Sequence, residues 1–467
     1  MFRALTTVRT LSAATIAATF LLAGCGSKSF DGNTFANIKP GLLLDKIKNS
    51  IQQPVEQVDR ALDGWDWDSY ISNFAPLLTD LEYTLDMRKV TYQSTGADGK
   101  PHSMTGLLIL PNAILGSKPS VPILMYQHGT EVYRRFSPSQ YLNHQDRPKD
   151  YPEVMVAAAI ASTGYAVALV DYEGMGDHTG TQPHVVGDVL ARQVVDMLRA
   201  SRDIIGGTAG NSSSPCRWNN KLFLMGYSEG GYVTMATTRE LQLPKYAAEF
   251  TVTASAPLSG PHDLSGTMRK LILSDNTFKA PYFAPLLLTG YNYAYGGQTT
   301  DFSPAFALLP PYNSTIPPLF DGNSKSDTIS EAMGMSFKPP VTLIVPKSIM
   351  TPQFLAQLEL ETSQVTGFMR QNDSYRDLND SNRAWKPTVP MRMVHHRNDE
   401  LVPYSNSQVA FDAFSTAGAK SHTLRGPGVQ LIEEDATINV SSDPVKTVHF
   451  GSAFPELIRG WKWLEGF

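Results

Sequence analysis

The chain has 467 residues, 42% apolar and 10% aromatic, enough for a sizeable core in one elaborated domain or two. Charged residues are only 18% and the formal net charge is -5, which argues against a nucleic-acid partner. Its 35 Gly and 32 Pro follow no period and no internal repeat is present, so a fibre or repeat array is excluded and many turns and long loops are expected.

Arg3 and Arg9 precede and open an apolar stretch, Leu11 to Leu22, that ends Leu22-Ala23-Gly24-Cys25. A basic start, a short apolar core and small residues before a cut describe a secretory signal over residues 1–25. The Leu-Ala-Gly-Cys ending resembles a bacterial lipobox. That resemblance implies a lipidated Cys25 and an exported protein tethered to the cell envelope, and Gly26 after the Cys favours the outer membrane. The only other cysteine, Cys216, lies in a polar loop, so no disulfide framework supports the fold. Residues 26–80 read as a tether followed by a loosely amphipathic helical extension.

Strand signals begin at Tyr83. Tyr83 to Tyr92 and Met104 to Pro111 form an expected hairpin around Gly96-Ala97-Asp98-Gly99. Apolar runs then recur at Val121–Tyr126, Tyr165–Val170, Leu222–Met225 and Phe250–Ala256, separated by helical spacing at Val154–Thr163 and Leu190–Arg199. Near-continuous apolar strands alternating with helices predict an α/β fold with a mostly parallel, doubly wound sheet covered on both faces. The rhythm breaks over residues 261–386, rich in Pro, Tyr, Phe and Leu, and resumes at Pro390–His395. The expected organisation is a core over residues 81–260 and 387–467. Residues 261–386 are read as a cap inserted over the carboxyl ends of the strands, where open α/β sheets bind ligands. A separate interaction domain is the alternative for that segment.

The chemistry centres on Gly226-Tyr227-Ser228-Glu229-Gly230-Gly231, between the apolar run Leu222–Met225 and a helical run from Tyr232. A serine on a sharp strand-to-helix turn needs small residues two before and two after it, and Gly226 and Gly230 supply them. Serine is a poor nucleophile unless a base takes its proton, and the base is usually a histidine held by a carboxylate. Asp399 stands in a polar turn after the strand Met391–His395, with Glu400 as its competitor. Downstream only His422 and His449 remain. His449 is expected in a loop before a last helix, Glu456 to Leu464, and is taken as the base, whereas His422 is read as a surface residue at the start of the last strand. His395 and His396 precede the acid and are expected to line the strand end. The oxyanion formed on attack needs backbone N–H donors. Glu229 follows the serine, and Thr130 closes the strand-ending turn Gln127-His128-Gly129-Thr130.

In this order the motifs Tyr126–Thr130, Asp171-Tyr172-Glu173-Gly174-Met175-Gly176-Asp177, Gly226–Gly231, Asn398-Asp399-Glu400-Leu401-Val402-Pro403 and the His449 segment resemble the α/β-hydrolases, most closely the secretory lipases (Candida lipase A-like) and bacterial esterase relatives. The resemblance covers residues 120–467. It implies a serine hydrolase acting on small-molecule or lipid esters, and a lid-bearing cap after Ala256. No His, Cys or Asp cluster has metal-ligand spacing, so neither metal nor cofactor is expected. A serine peptidase of prolyl-oligopeptidase type shares fold and triad but lacks room here for a propeller. A non-catalytic binding lipoprotein on the same scaffold is the remaining alternative.

Overall fold

A computed structural model describes residues 29–38, 82–113, 116–208, 213–438, 440 and 446–467. The expected signal and Cys25 lie outside the described residues, as does the helical part of the 26–80 extension.

The strands are β1 (Ser29–Ile38), β2 (Thr84–Thr95), β3 (Pro101–Asn112), β4 (Ser120–Gln127), β5 (Ala166–Val170), β6 (Arg217–Tyr227), β7 (Ala254–Leu258), β8 (Pro390–His396) and β9 (Gly428–Glu434). They form one sheet in the order β1-β2-β3-β5-β4-β6-β7-β8-β9. From β5 to β9 all pairs are parallel, and β1, β2 and β3 add antiparallel strands at one edge. Ser29–Ile38 had been expected as tether. It is instead an edge strand that pairs with the outer side of β2, where backbone donors and acceptors would otherwise be unmet.

The main helices are α1 (Pro152–Ser162), α2 (Gly187–Ile205), α3 (Glu229–Leu241), α4 (Phe283–Tyr295), α5 (Ser405–Thr416) and α6 (Val448–Leu464). Strand residues alternate between two cores. Ile123, Met125, Leu222 and Leu224 pack with α2 and α3, while Leu124, Tyr126, Phe223 and Met225 pack with α1 and α6. Because both faces are covered, the parallel strands carry unbroken apolar runs rather than a polar alternation.

The chain leaves β4 through α1 to β5 on one side, then returns through α2 to β6 on the other. The winding therefore reverses between β4 and β6, and a crevice opens at their carboxyl ends. Residues 259–389 add no strand to the sheet, only helices and isolated bridges such as Phe278 with Ile344. Asp373 ties this segment together by accepting hydrogen bonds from Ser265 N–H (2.9 Å), Ser265 Oγ (2.6 Å) and Arg376 Nε (2.7 Å).

Candidate active site

Ser228 occupies the single position between β6 and α3, with φ 60° and ψ -124°, a backbone region costly for any residue with a side chain. Its N–H donates to Leu258 O at 3.0 Å, which fixes the bend against β7. The glycines beside it are sterically required. A Cβ on Gly226 or Gly230 would run into the carbonyl of Gln127 on β4, and one on Gly231 into that of Leu258. The turn can be this tight only because those three positions have no side chain.

Asp399 lies in the turn after β8, and His449 lies in the first turn of α6. His449 Nε2 is 2.8 Å from Ser228 Oγ, and His449 Nδ1 is 2.6 Å from Asp399 Oδ2. All three side chains are buried. The contact to the carboxylate places the ring proton on Nδ1, leaving Nε2 to accept from the serine hydroxyl. Asp399 Oδ1 accepts from Leu401 N–H (3.0 Å) and Val402 N–H (2.9 Å). Burial alone would raise this carboxyl, but the charge of His449 and hydrogen bonds from His395 and His449 outweigh it and hold Asp399 well below the ordinary carboxylate range.

His449 is not in a loop, as the sequence suggested. The last helix was expected only from Glu456, just after Pro455, whereas Pro455 sits inside α6, which starts at Val448. The hydroxyl of Thr447 caps that earlier start by accepting from Phe450 N–H at 3.0 Å, and Ala453, Phe454, Leu457 and Trp461 bury the inner face. Tyr227 OH donates to His449 O at 2.5 Å, so the serine's neighbour also anchors the base-bearing turn.

Glu400, the competitor for the acid, faces elsewhere. Its carboxylate accepts from Val448 N–H at 3.1 and 3.0 Å, so it stabilises the N-terminus of the helix that carries His449. His422 is exposed in a loop ahead of β9, which begins only at Gly428. His395 and His396 do end β8, but His395 also reaches the site, its Nε2 lying 3.4 Å from Asp399 Oδ2.

Thr130 follows β4 and borders the same cleft as Ser228. Glu229 is the first residue of α3, so its N–H has no acceptor within the helix. The loop before Thr130 is braced from below. Gly129 N–H donates to both oxygens of half-buried Glu153 (3.2 and 3.1 Å), and Tyr126 OH donates to the same carboxyl at 3.1 Å. Burial pushes the Glu153 carboxyl up. Glu153 was not singled out in the sequence. Nothing in a helix start such as Pro152-Glu153-Val154 signals an acid bonded beneath a neighbouring strand end.

Two cavities meet at Ser228, Thr130 and Phe283. One is mixed, with Glu131, Asp150, Glu153 and Ser326 set among apolar residues such as Val132, Phe136 and Tyr151 in its wall. The other is an apolar space walled by Leu264, Met268, Leu271, Ile272, Phe278 and Leu287. Every one of those six comes from residues 259–389. Among the described residues one cluster has metal-ligand atoms close together, Asp98, His102 and Glu173, within 4.8 Å of one another. Its groups are partnered internally, His102 Nε2 with Asp98 Oδ1 at 2.9 Å and Glu173 with Tyr293 OH at 2.7 Å, and none of them lines either cavity. Cys216 is buried without a disulfide partner, and burial raises its thiol to about 11, out of range for a nucleophile.

Residues 149–293 match the sequence model of the secretory lipase family. Among solved structures, the chain is similar to the rice cell-wall-degrading esterase LipA of Xanthomonas oryzae (23% identity, 84% of this chain and 93% of that one, TM-score 0.66). It is also similar to a candidate hydrolase from Legionella pneumophila (23%, 92% and 96%, TM-score 0.67). Lipase A of Candida antarctica in its closed state is more distant (17%, 77% and 74%, TM-score 0.54). At these identities the structural likeness establishes the α/β-hydrolase fold. No curated protein matches the chain.

Proposed function

We propose, from the premise that this chain is a carboxylic ester hydrolase of the lipase and esterase group of α/β-hydrolases, that it cleaves its ester through Ser228, His449 and Asp399. The observation that carries this reading is the unbroken relay from Ser228 Oγ to His449 Nε2 and from His449 Nδ1 to Asp399 Oδ2, at 2.8 and 2.6 Å. Ser228 Oγ attacks the ester carbonyl carbon as its proton passes to His449 Nε2. Asp399 stays ionised, holds the ring in the required tautomer and balances the imidazolium.

The carbonyl oxygen becomes an oxyanion within reach of the N–H groups of Thr130 and Glu229, aimed before the reaction starts and therefore needing little reorganisation. The intermediate collapses as His449 returns the proton to the departing alcohol. Water, activated by the same histidine, then cleaves the acyl-serine. The apolar cavity suits the acyl chain, and the mixed cavity, with its carboxylates and Ser326, the alcohol side. Residues 261–386 act as the cap that supplies the apolar walls. The lipobox-like segment supports export and anchoring of the mature protein through Cys25, at the outer membrane. No helix of the described residues is long and apolar enough to cross a membrane.

The test is turnover of a short aryl ester by Ser228→Ala, alongside fluorophosphonate labelling of the unaltered chain. Loss of nearly all turnover in a folded variant, with labelling at Ser228, is expected. Full activity in the variant, or faster cleavage of a matched anilide than of the ester, rejects the assignment.

A further inference from the structure

Glu229 enters the catalytic reading only through its backbone, yet its carboxylate is buried beside Ser228 and borders the otherwise apolar cavity. An unopposed carboxylate there would work against the reaction. The oxyanion develops beside the N–H of the same residue, and two negative charges this close in a water-poor site repel strongly. The helix N-terminus at Glu229 favours negative charge, but that same field is needed for the oxyanion.

The structure supplies a partner. His184 Nδ1 lies 2.8 Å from Glu229 Oε1, an ion-pair distance rather than an aligned hydrogen bond, and His184 borders the same cavity. Thr130 borders the same cavity, and its hydroxyl helps to lower this carboxyl, so the two residues proposed as oxyanion donors face each other through their side chains. Burial would raise the Glu229 carboxyl; the electrostatic pull of His184, with Thr130 beside it, outweighs burial and lowers it. His184 is held where it is needed. Its neighbour Val185 has φ 49°, unfavourable for a β-branched residue. Tyr232 OH donates to Val185 O at 2.9 Å, and Gly187 N–H donates to Asn372 Oδ1 at 3.0 Å. A side chain on Gly290 of α4 would strike the backbone N of His184. The strain at Val185 thus persists under constraint from α3, α4 and the 259–389 segment.

We propose that His184 is a positioning residue for Glu229. Its Nδ1 edge faces the Glu229 carboxylate and offsets that side chain's negative field, so the carboxylate can sit beside Thr130 and Ser228 without repelling the oxyanion. This rests on Ser228 being the nucleophile. The assignment separates charge from packing, because removing the acid should repair the loss of the histidine.

The experiment compares unaltered protein, His184→Ala, Glu229→Gln and the double variant by kcat and KM on a short aryl ester, with fluorophosphonate labelling of each. His184→Ala should lower kcat on the order of 10-fold or more, within the range for a disturbed oxyanion site, with KM changed much less. The double variant should recover several-fold over His184→Ala. An unchanged kcat in His184→Ala, or a double variant no faster than it, overturns the proposal. If the unaltered protein turns over the ester without labelling at Ser228, the nucleophile assignment itself has failed, and this proposal with it.

Discussion

His395 Nε2 lies 3.4 Å from Oδ2 of Asp399, the same carboxylate oxygen that His449 meets at 2.6 Å. The His395 ring is locked by two further contacts, Nε2–H donating to Val402 O at 2.7 Å and Nδ1 accepting from Ser407 Oγ at 2.7 Å. Asp399 is therefore held from both sides, by the base and by a histidine four residues before it on the preceding strand. His395→Ala should lower kcat roughly 10-fold with KM little changed. Asp399→Asn, which disturbs the tautomer of the base directly, should cost on the order of 10⁴-fold. Steady-state kinetics on one aryl ester rank the two, and equal losses would count against the indirect role given to His395.

The elbow holds its shape at a cost in stability. Ser228 has a positive φ that only glycine adopts freely. Ser228→Gly should therefore raise unfolding stability by about 1 kcal/mol while abolishing turnover. Gly226→Ala should do the reverse to the fold, losing about 3 kcal/mol because its Cβ meets the backbone carbonyl of Gln127, which cannot move aside. Urea unfolding of the two variants checks both signs.

Much of this site was legible because its parts obey local rules. Strand runs such as Leu222–Met225 are apolar because both faces of a parallel sheet are covered, and the elbow glycines follow from the close approach of β4 and β7. The start of α6 was misread because Pro455 carries a strong N-terminal signal that the Thr447 cap and the buried face beyond it override. β1 escaped because pairing with an edge strand is a long-range event with no local signature. Glu153, the side chain of Glu229 and His395 escaped for a shared reason. Each is a polar group at least half-buried whose partner comes from another element, and a linear pattern does not record that meeting.

His262 makes stability depend on pH. It is buried just after β7, where Nδ1 pairs with Ser374 Oγ at 2.9 Å, and burial with the nearby charge of His395 pushes it from 6.5 down to about 3. The unfolded chain takes up a proton below 6.5 and the folded chain resists it, so this group's contribution is intact above 6.5 and lost as pH falls toward 3. The slope is about 1.4 kcal/mol per pH unit across that window. His262→Gln removes that term whatever other groups contribute. The difference in unfolding free energy between unaltered protein and variant should therefore shrink on acidification from 6.5 and stay constant above it. A difference that is flat from pH 7 to 4 would show that His262 titrates normally.

The apolar cavity should set acyl-chain preference, and Leu287 is the place to test it. This residue is on α4, buried, and lines the cavity with Leu264 and Met268 of the same 259–389 segment, with Phe283 one turn earlier at the junction near Ser228. It contacts neither Asp399 nor His449 through any hydrogen bond, so enlarging it changes the space rather than the relay. Leu287→Trp should lower kcat/KM for long acyl esters at least about 10-fold, since each lost methylene contact in such a pocket is worth roughly 1–3 kcal/mol. Cleavage of the acetyl ester should be nearly unchanged. Profiling acyl length in both proteins reads the result: a parallel fall for every chain length would place the acyl group elsewhere, in the mixed cavity that Glu131, Asp150 and Glu153 border.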